Sequence, residues 1–152
     1  MNYIKEAEKY LKYYYDLNES IKRMTRERAI LLHDSWPEDI KGIDYTKPKI
    51  DENFHQDEAY DILYKIKVLT ENIEITQEKL KEIDIILDDI SIDDGCELYG
   101  PVLKMWYVDK LPKELIAEKV KYSSRQSIYD IKNKAIRKFA IRLFGLEALK
   151  MM

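Results

Sequence analysis

The chain reads as all-α: long N-terminal helices forming a hairpin or coiled coil, then a smaller helical module at the C-terminus. Three observations carry that expectation. Glycine and proline number four each in 152 residues, too few for a sandwich or barrel that needs a turn every 8–12 residues or so. Charged residues make up 36% of the chain and apolar ones 45%; that is enough apolar material for a core, and Lys, Glu, Ile and Leu all suit helices. A series of apolar residues from Ala59 to Ile90 alternates spacings of three and four without a slip, the seam of a coiled coil.

Taken in order, residues 2–33 predict a first amphipathic helix. Tyr3, Tyr10, Leu17, Met24 and Leu31 recur every seven, Ala7, Tyr14 and Ile21 fall four later, and Ile4, Leu11 and Leu32 widen the stripe. One face is therefore built for burial. The run Tyr13-Tyr14-Tyr15 suits a helix edge with half-buried rings and wet hydroxyls better than a stacking platform for bases. Pro37 ends the segment, because a proline disfavours the α conformation at the residue before it. Residues 34–55 contain Gly42 and Pro48 and show no apolar period. They predict a loop of about twenty residues, long for a compact domain, either partly disordered or folded back through Trp36 and Tyr45.

Residues 56–91 carry the seam: Ala59, Ile62, Ile66, Leu69, Ile73, Thr76, Leu80, Ile83, Leu87 and Ile90. A helix of that length spans about 50 Å at 1.5 Å per residue. Such a seam requires a partner, which is the first helix folded back antiparallel, a second chain, or both in a four-helix dimer. Ser91-Ile92-Asp93-Asp94-Gly95 ends the helix and divides the chain into an expected arm, residues 1–94, and an expected head, residues 95–152. The pairs Asp88-Asp89 and Asp93-Asp94 lack the spacing of a calcium loop and read as an acidic helix end.

The formal net charge of −3 conceals an asymmetry: residues 1–101 hold 14 basic and 24 acidic side chains, and residues 102–152 hold 12 and 5. Between Lys121 and Arg142 there are seven basic residues and one acid, Asp130. A polyanionic partner is expected for the C-terminal third alone. One cysteine, Cys96, and two histidines, His33 and His55, are too few for a disulfide framework or a Cys/His zinc centre. The carboxylates have no Gly-rich phosphate loop, paired histidine or activated nucleophile beside them, so neither an enzyme nor a cofactor is expected. No long apolar stretch is present and the opening residues are charged, so no membrane span or signal peptide is expected, and the protein reads as cytoplasmic.

Residues 101–143 predict three short helices. Pro101 suits the start of a first helix through Val108, and Pro112 the start of a second over residues 113–120. After Lys121-Tyr122-Ser123, a third begins with Ser124 as N-cap. In a helix-turn-helix, small Ala117 lets the third helix cross close by, Ile116, Val120, Ile128 and Ile131 close the core, and Tyr122 plugs the turn. The third helix then presents Arg125, Gln126, Tyr129, Lys132, Asn133 and Arg137 to solvent. Arg and Gln at that N-terminus read guanine and adenine edges, while Lys and the serines, Ser124 and Ser127, hold phosphates. Double-stranded DNA is the partner these residues imply.

Residues 111–135 resemble the region-4 helix-turn-helix of sigma factors, through Ile116-Ala117-Glu118, the turn, Ser124-Arg125-Gln126 and Ile128-Tyr129. The whole chain is similar to the phage late-transcription regulators of the ArpU and RinA type, through Gly42-Ile43-Asp44-Tyr45, Asp57-Glu58-Ala59, Val102-Leu103, Trp106-Tyr107-Val108, Tyr122-Ser123 and Lys134-Ala135-Ile136. The resemblance implies a phage or prophage transcriptional regulator, a homodimer that binds DNA and contacts RNA polymerase through its acidic N-terminal surface. One departure is visible: Ser123-Ser124 stands where that pattern has one serine, and a one-residue shift rotates a helix by about 100°. A small terminase-like packaging adaptor and a coiled-coil scaffold that binds no DNA are the alternative readings.

Overall fold

The computed structural model of the chain describes residues 2–35, 52–121 and 125–150, with 35, 52–56 and 125 described in their backbone alone. Among these residues the regular elements are all helical: α1 (Tyr3–Lys12), α2 (Tyr14–Ser35), α3 (Glu52–Asp89), α4 (Tyr99–Leu103), a π-helical turn (Lys104–Val108), α5 (Lys113–Lys119), α6 (Arg125–Phe144) and α7 (Leu146–Leu149). No described helix is long and apolar enough to cross a membrane. Trp36, Tyr45 and most of the expected loop lie outside the described residues, as do Tyr122, Ser123 and Ser124.

The expected first helix is two. Asn2 caps α1 by accepting the N–H groups of Ile4 and Lys5 at 3.1 and 3.2 Å, and α1 stops at Tyr13, whose φ of −96° and ψ of 6° leave the helical region. The periodic stripe runs through this break, which is why a seven-residue repeat does not reveal it. Of the expected seam on the long helix α3, Ile73, Leu80, Ile83, Leu87 and Ile90 are buried, Ile62, Ile66, Leu69 and Thr76 are half-buried, and Ala59 is exposed.

The described residues cluster into two units, one comprising residues 1–17 and 79–152 and the other residues 18–78. The expected division at residue 95 followed the change in charge; the packing instead groups the first helix and the end of α3 with the C-terminal helices. In the smaller unit Arg28 donates to the Thr70 hydroxyl at 3.3 Å, and that hydroxyl donates to the Ile66 carbonyl at 2.8 Å. Ile73 is buried there, and Ile21, Met24, Ile62, Ile66 and Leu69 are half-buried.

In the larger unit α6 is the central element, packed by α1, α4, α5 and α7. Ile128, Ala135, Ile136, Phe139 and Ala140 of α6 are buried. Removing a side chain such as Phe139 from water contributes about 1.5–3 kcal/mol. Phe144, at the end of α6, meets the rings of Tyr3 and Tyr10 at centroid distances of 5.1 and 6.4 Å. Tyr14 donates to Asp84 at 2.7 Å; burial, and then that carboxylate, push the phenol up to about 12.

Gly100 sets how closely α4 can lie on the end of α3. A Cβ there would collide with the backbone carbonyl oxygen of Leu87 and the Ser91 hydroxyl. The close approach is hydrogen-bonded: Gly100 N–H donates to Ser91 Oγ at 2.9 Å, and Ser91 Oγ donates to the Leu87 carbonyl at 3.1 Å. Gly100→Ala is therefore expected to lower stability by about 1–3 kcal/mol, since backbone must move to admit the methyl group. Urea unfolding midpoints of the two proteins check this, and an unchanged midpoint would contradict the packing described.

Candidate nucleic-acid interface

Two local stops place the helices that carry the expected site. The π-helical turn closes with Asp109 N–H donating to the Lys104 carbonyl and Leu111 N–H to the Met105 carbonyl, both at 2.9 Å. Lys110 between them takes a φ of 52°, the left-handed cap that ends many helices. Pro112, extended at ψ 146°, then precedes the first residue of α5. At the other end of α5, Val120 N–H donates to Ile116 and Lys121 N–H to Glu118 at 3.0 and 3.2 Å, and Lys121 takes a φ of 61°. Lysine carries the left-handed backbone at both stops, where glycine is the usual signal.

The core beneath is the expected one. Ile116, Ala117 and Ile128 are buried together with Val102, and Val120 and Ile131 pack against them with Leu98, Met105, Trp106 and Leu111. Ala117 leaves room for α6 to cross, so α5 and the start of α6 share one apolar layer.

With that side of α6 fixed, the remaining residues sort by angle. At 100° per residue, Gln126, Asn133 and Arg137 fall within one arc of about 40°, while Tyr129 and Lys132 lie beside it on the flank toward buried Ile136 and Ile128. Gln126, Asn133 and Arg137 are exposed, while Tyr129 and Lys132 are half-buried. Gln126 donates to Asp130 at 3.3 Å, one turn along. Ser127 is half-buried and falls outside that arc. Arg125 is the first residue of α6 and is described in its backbone only, and Ser124 lies outside the described residues.

Tyr129 and Lys132 are held by a residue that the sequence did not single out for the site, Trp106. Tyr129 meets its indole edge-on at a centroid distance of 5.0 Å and an interplanar angle of 79°. Lys132 Nζ lies 5.0 Å and Lys113 Nζ 4.5 Å from the ring centroid, distances at which a cation is attracted to the π-face. The signal that could have found it is the pair Trp106-Tyr107, a large aromatic surface just before a helix start bearing lysine. Beside it Tyr107 shares a hydrogen bond with Glu8, and burial, then that carboxylate, push its hydroxyl well up.

Not every basic residue of the run faces outward. Lys138 Nζ lies 2.5 Å and Arg142 Nη2 3.7 Å from the Asp93 carboxylate. Lys138 also reaches half-buried Cys96 Sγ at 3.5 Å and lies 5.8 Å from the Tyr99 ring centroid. These two cations fasten α6 to the segment that follows α3. Among the described residues there is no group of three or more His, Cys, Asp or Glu side chains placed to hold a metal ion. Comparison with protein families, with characterised proteins and with solved structures gave no match to this chain.

The Lys138 ammonium beside Asp93, with Arg142 adding to it, holds the Asp93 carboxyl below the usual carboxylate range. A carboxylate whose pKa is lowered by folding stabilises the fold above the unfolded pKa, and that stabilisation is lost as pH falls through the folded value. Asp93→Asn is accordingly expected to melt below the wild type at neutral pH. The gap should hold down to about pH 5 and narrow as the pH falls below the unfolded carboxylate value of about 3.9 and on through the lower folded one, which thermal melts at successively acidic pH check.

Proposed function

We propose that the protein is a sequence-specific DNA-binding transcriptional regulator, of the kind found in phages and prophages, with α5 and α6 forming a sigma region-4-like helix-turn-helix. The observation that carries the reading is the exposed face of α6: the amide and guanidinium groups of Gln126, Asn133 and Arg137 share one side, and Ile128, Ala135 and Phe139 on the opposite side are buried. In this reading the first turns of α6 enter the major groove. Gln126 and Asn133 offer the paired donor and acceptor that match an adenine edge, and Lys132 and Arg137 offer charge to phosphate. Lys113, near the start of α5, stands where the first helix of such a motif crosses the backbone.

The smaller unit supports a homodimer. Its seam residues Ile62, Ile66 and Leu69 are only half-buried, and Tyr60, Leu63, Tyr64 and Ile75 are more than half exposed. A hairpin of α2 and α3 that meets a second copy there would cover them. An acidic N-terminal surface contacting RNA polymerase completes the regulator reading, and contacts to DNA and polymerase require no cofactor.

Selection of bound fragments from random duplex DNA, followed by binding titrations at several salt concentrations, tests this. The expected result is an enriched sequence and an affinity that falls steeply with salt, as several phosphates displace counterions. Arg137→Ala should weaken binding on the order of tenfold, while Lys81→Ala, on an exposed position of α3, should bind as wild type. Absence of binding to any duplex at low salt would overturn the reading. A ring of about eight or more subunits on sizing would favour the packaging adaptor over the dimeric regulator.

A further inference from the structure

The sequence places Lys12 just over a hundred residues before α5, in the acidic part of the chain. The fold brings it to the same cleft as Lys110 and Lys113. That cleft, about 280 Å³ and wide open to solvent, is lined by these three lysines with Trp106, Tyr107 and Leu111. Each lysine arrives there for a local reason. Lys12 is the last residue of α1, which packs on the π-helical turn and on α6 and is tied to the turn through Glu8 and Tyr107. Lys110 is the left-handed stop of that turn. Lys113 opens α5 and lies against the Trp106 indole.

Three lysines line this one cleft, Lys12 with its ammonium 5.7 Å from the Tyr13 ring centroid, and an anion seated there would offset the mutual repulsion of their charges. Among the described residues none of the three forms an ion pair; the nearby Glu8 carboxylate accepts from the Tyr107 hydroxyl. The cleft also adjoins the polar arc of α6. Trp106 lines the cleft and, at the same time, bears Lys132 and the edge of Tyr129.

We propose that this cleft is a phosphate seat, in which Lys12, Lys110 and Lys113 take a backbone phosphate of the duplex bound by α6. The inference rests on the DNA-binding reading and extends it. The surface that grips DNA is not confined to the C-terminal third but is completed by the end of the first helix. Trp106 is a positioning residue, holding the ammonium groups of Lys113 and Lys132 over one ring and so linking the phosphate seat to the recognition helix.

Salt-dependent titration of a selected duplex with Lys12→Ala, Lys110→Gly and Arg137→Ala tests it. Lys110→Gly removes the charge while supplying the residue that best tolerates the left-handed backbone, so its loss of binding is not a loss of folding. Lys12→Ala and Lys110→Gly are each expected to weaken binding on the order of tenfold and to make the plot of log affinity against log salt shallower by about one unit. Melting temperatures of both should stay at or above that of the wild type within the small changes expected of surface sites. If both variants bind with wild-type affinity and slope while Arg137→Ala is weakened, the phosphate seat is overturned and the DNA-binding reading stands. If the wild type binds no duplex, both are overturned together.

Discussion

Helix α6 must satisfy two demands on one cylinder, and the rest of the larger unit follows from that constraint. One side has to be apolar enough to hold α1, α4, α5 and α7, and the other has to remain polar along its first three turns. Ile128, Ala135, Ile136, Phe139 and Ala140 meet the first demand. Their burial prevents rotation of the helix, because a turn of even one residue's angle would carry Arg137 or Asn133 toward the core and expose Ile136 or Ile128. The exposed face of α6 is therefore set by the core beneath it, with Trp106 holding Tyr129 and Lys132 on its flank.

The charge of the C-terminal third is divided between structure and surface in a way that a residue count conceals. Lys138 and Arg142 are drawn to Asp93 and secure α6 to the chain that leaves α3. Lys113 and Lys132 lie against Trp106, which limits the side-chain freedom that would otherwise be lost when they meet an anion. Lys134 and Arg137 project from exposed positions. A run of seven basic residues thus contains cations with at least three physical roles, and only some of them are available to a partner.

Much of the fold was legible in the sequence where period reports burial directly. The seam from Ile73 to Ile90 and the layer of Ile116, Ala117, Val120, Ile128 and Ile131 are apolar at helical spacing, and both are covered in the structure. What escaped has physical reasons. The break at Tyr13 leaves the apolar stripe intact, so no period marks it. Lys110 and Lys121 hold left-handed backbone without the glycine that normally announces it. The packing of α1 on α6 joins residues more than a hundred positions apart, and the charge change near residue 95 points to a different division. Of the expected site, the arc of Gln126, Asn133 and Arg137 could be read from helical spacing alone. The inward lean of Lys132 onto Trp106 could not, because it depends on where the π-helical turn ends.

The account turns on whether the polar arc of α6 meets the duplex. Amide and side-chain NMR shifts of the full chain, followed as a selected duplex is added, measure this directly. The account predicts that the largest changes cluster at Gln126, Tyr129, Lys132, Asn133 and Arg137, with Trp106 Nε1–H moving in step with them. Shifts confined to residues 18–78, or no shifts at any duplex concentration, would contradict it.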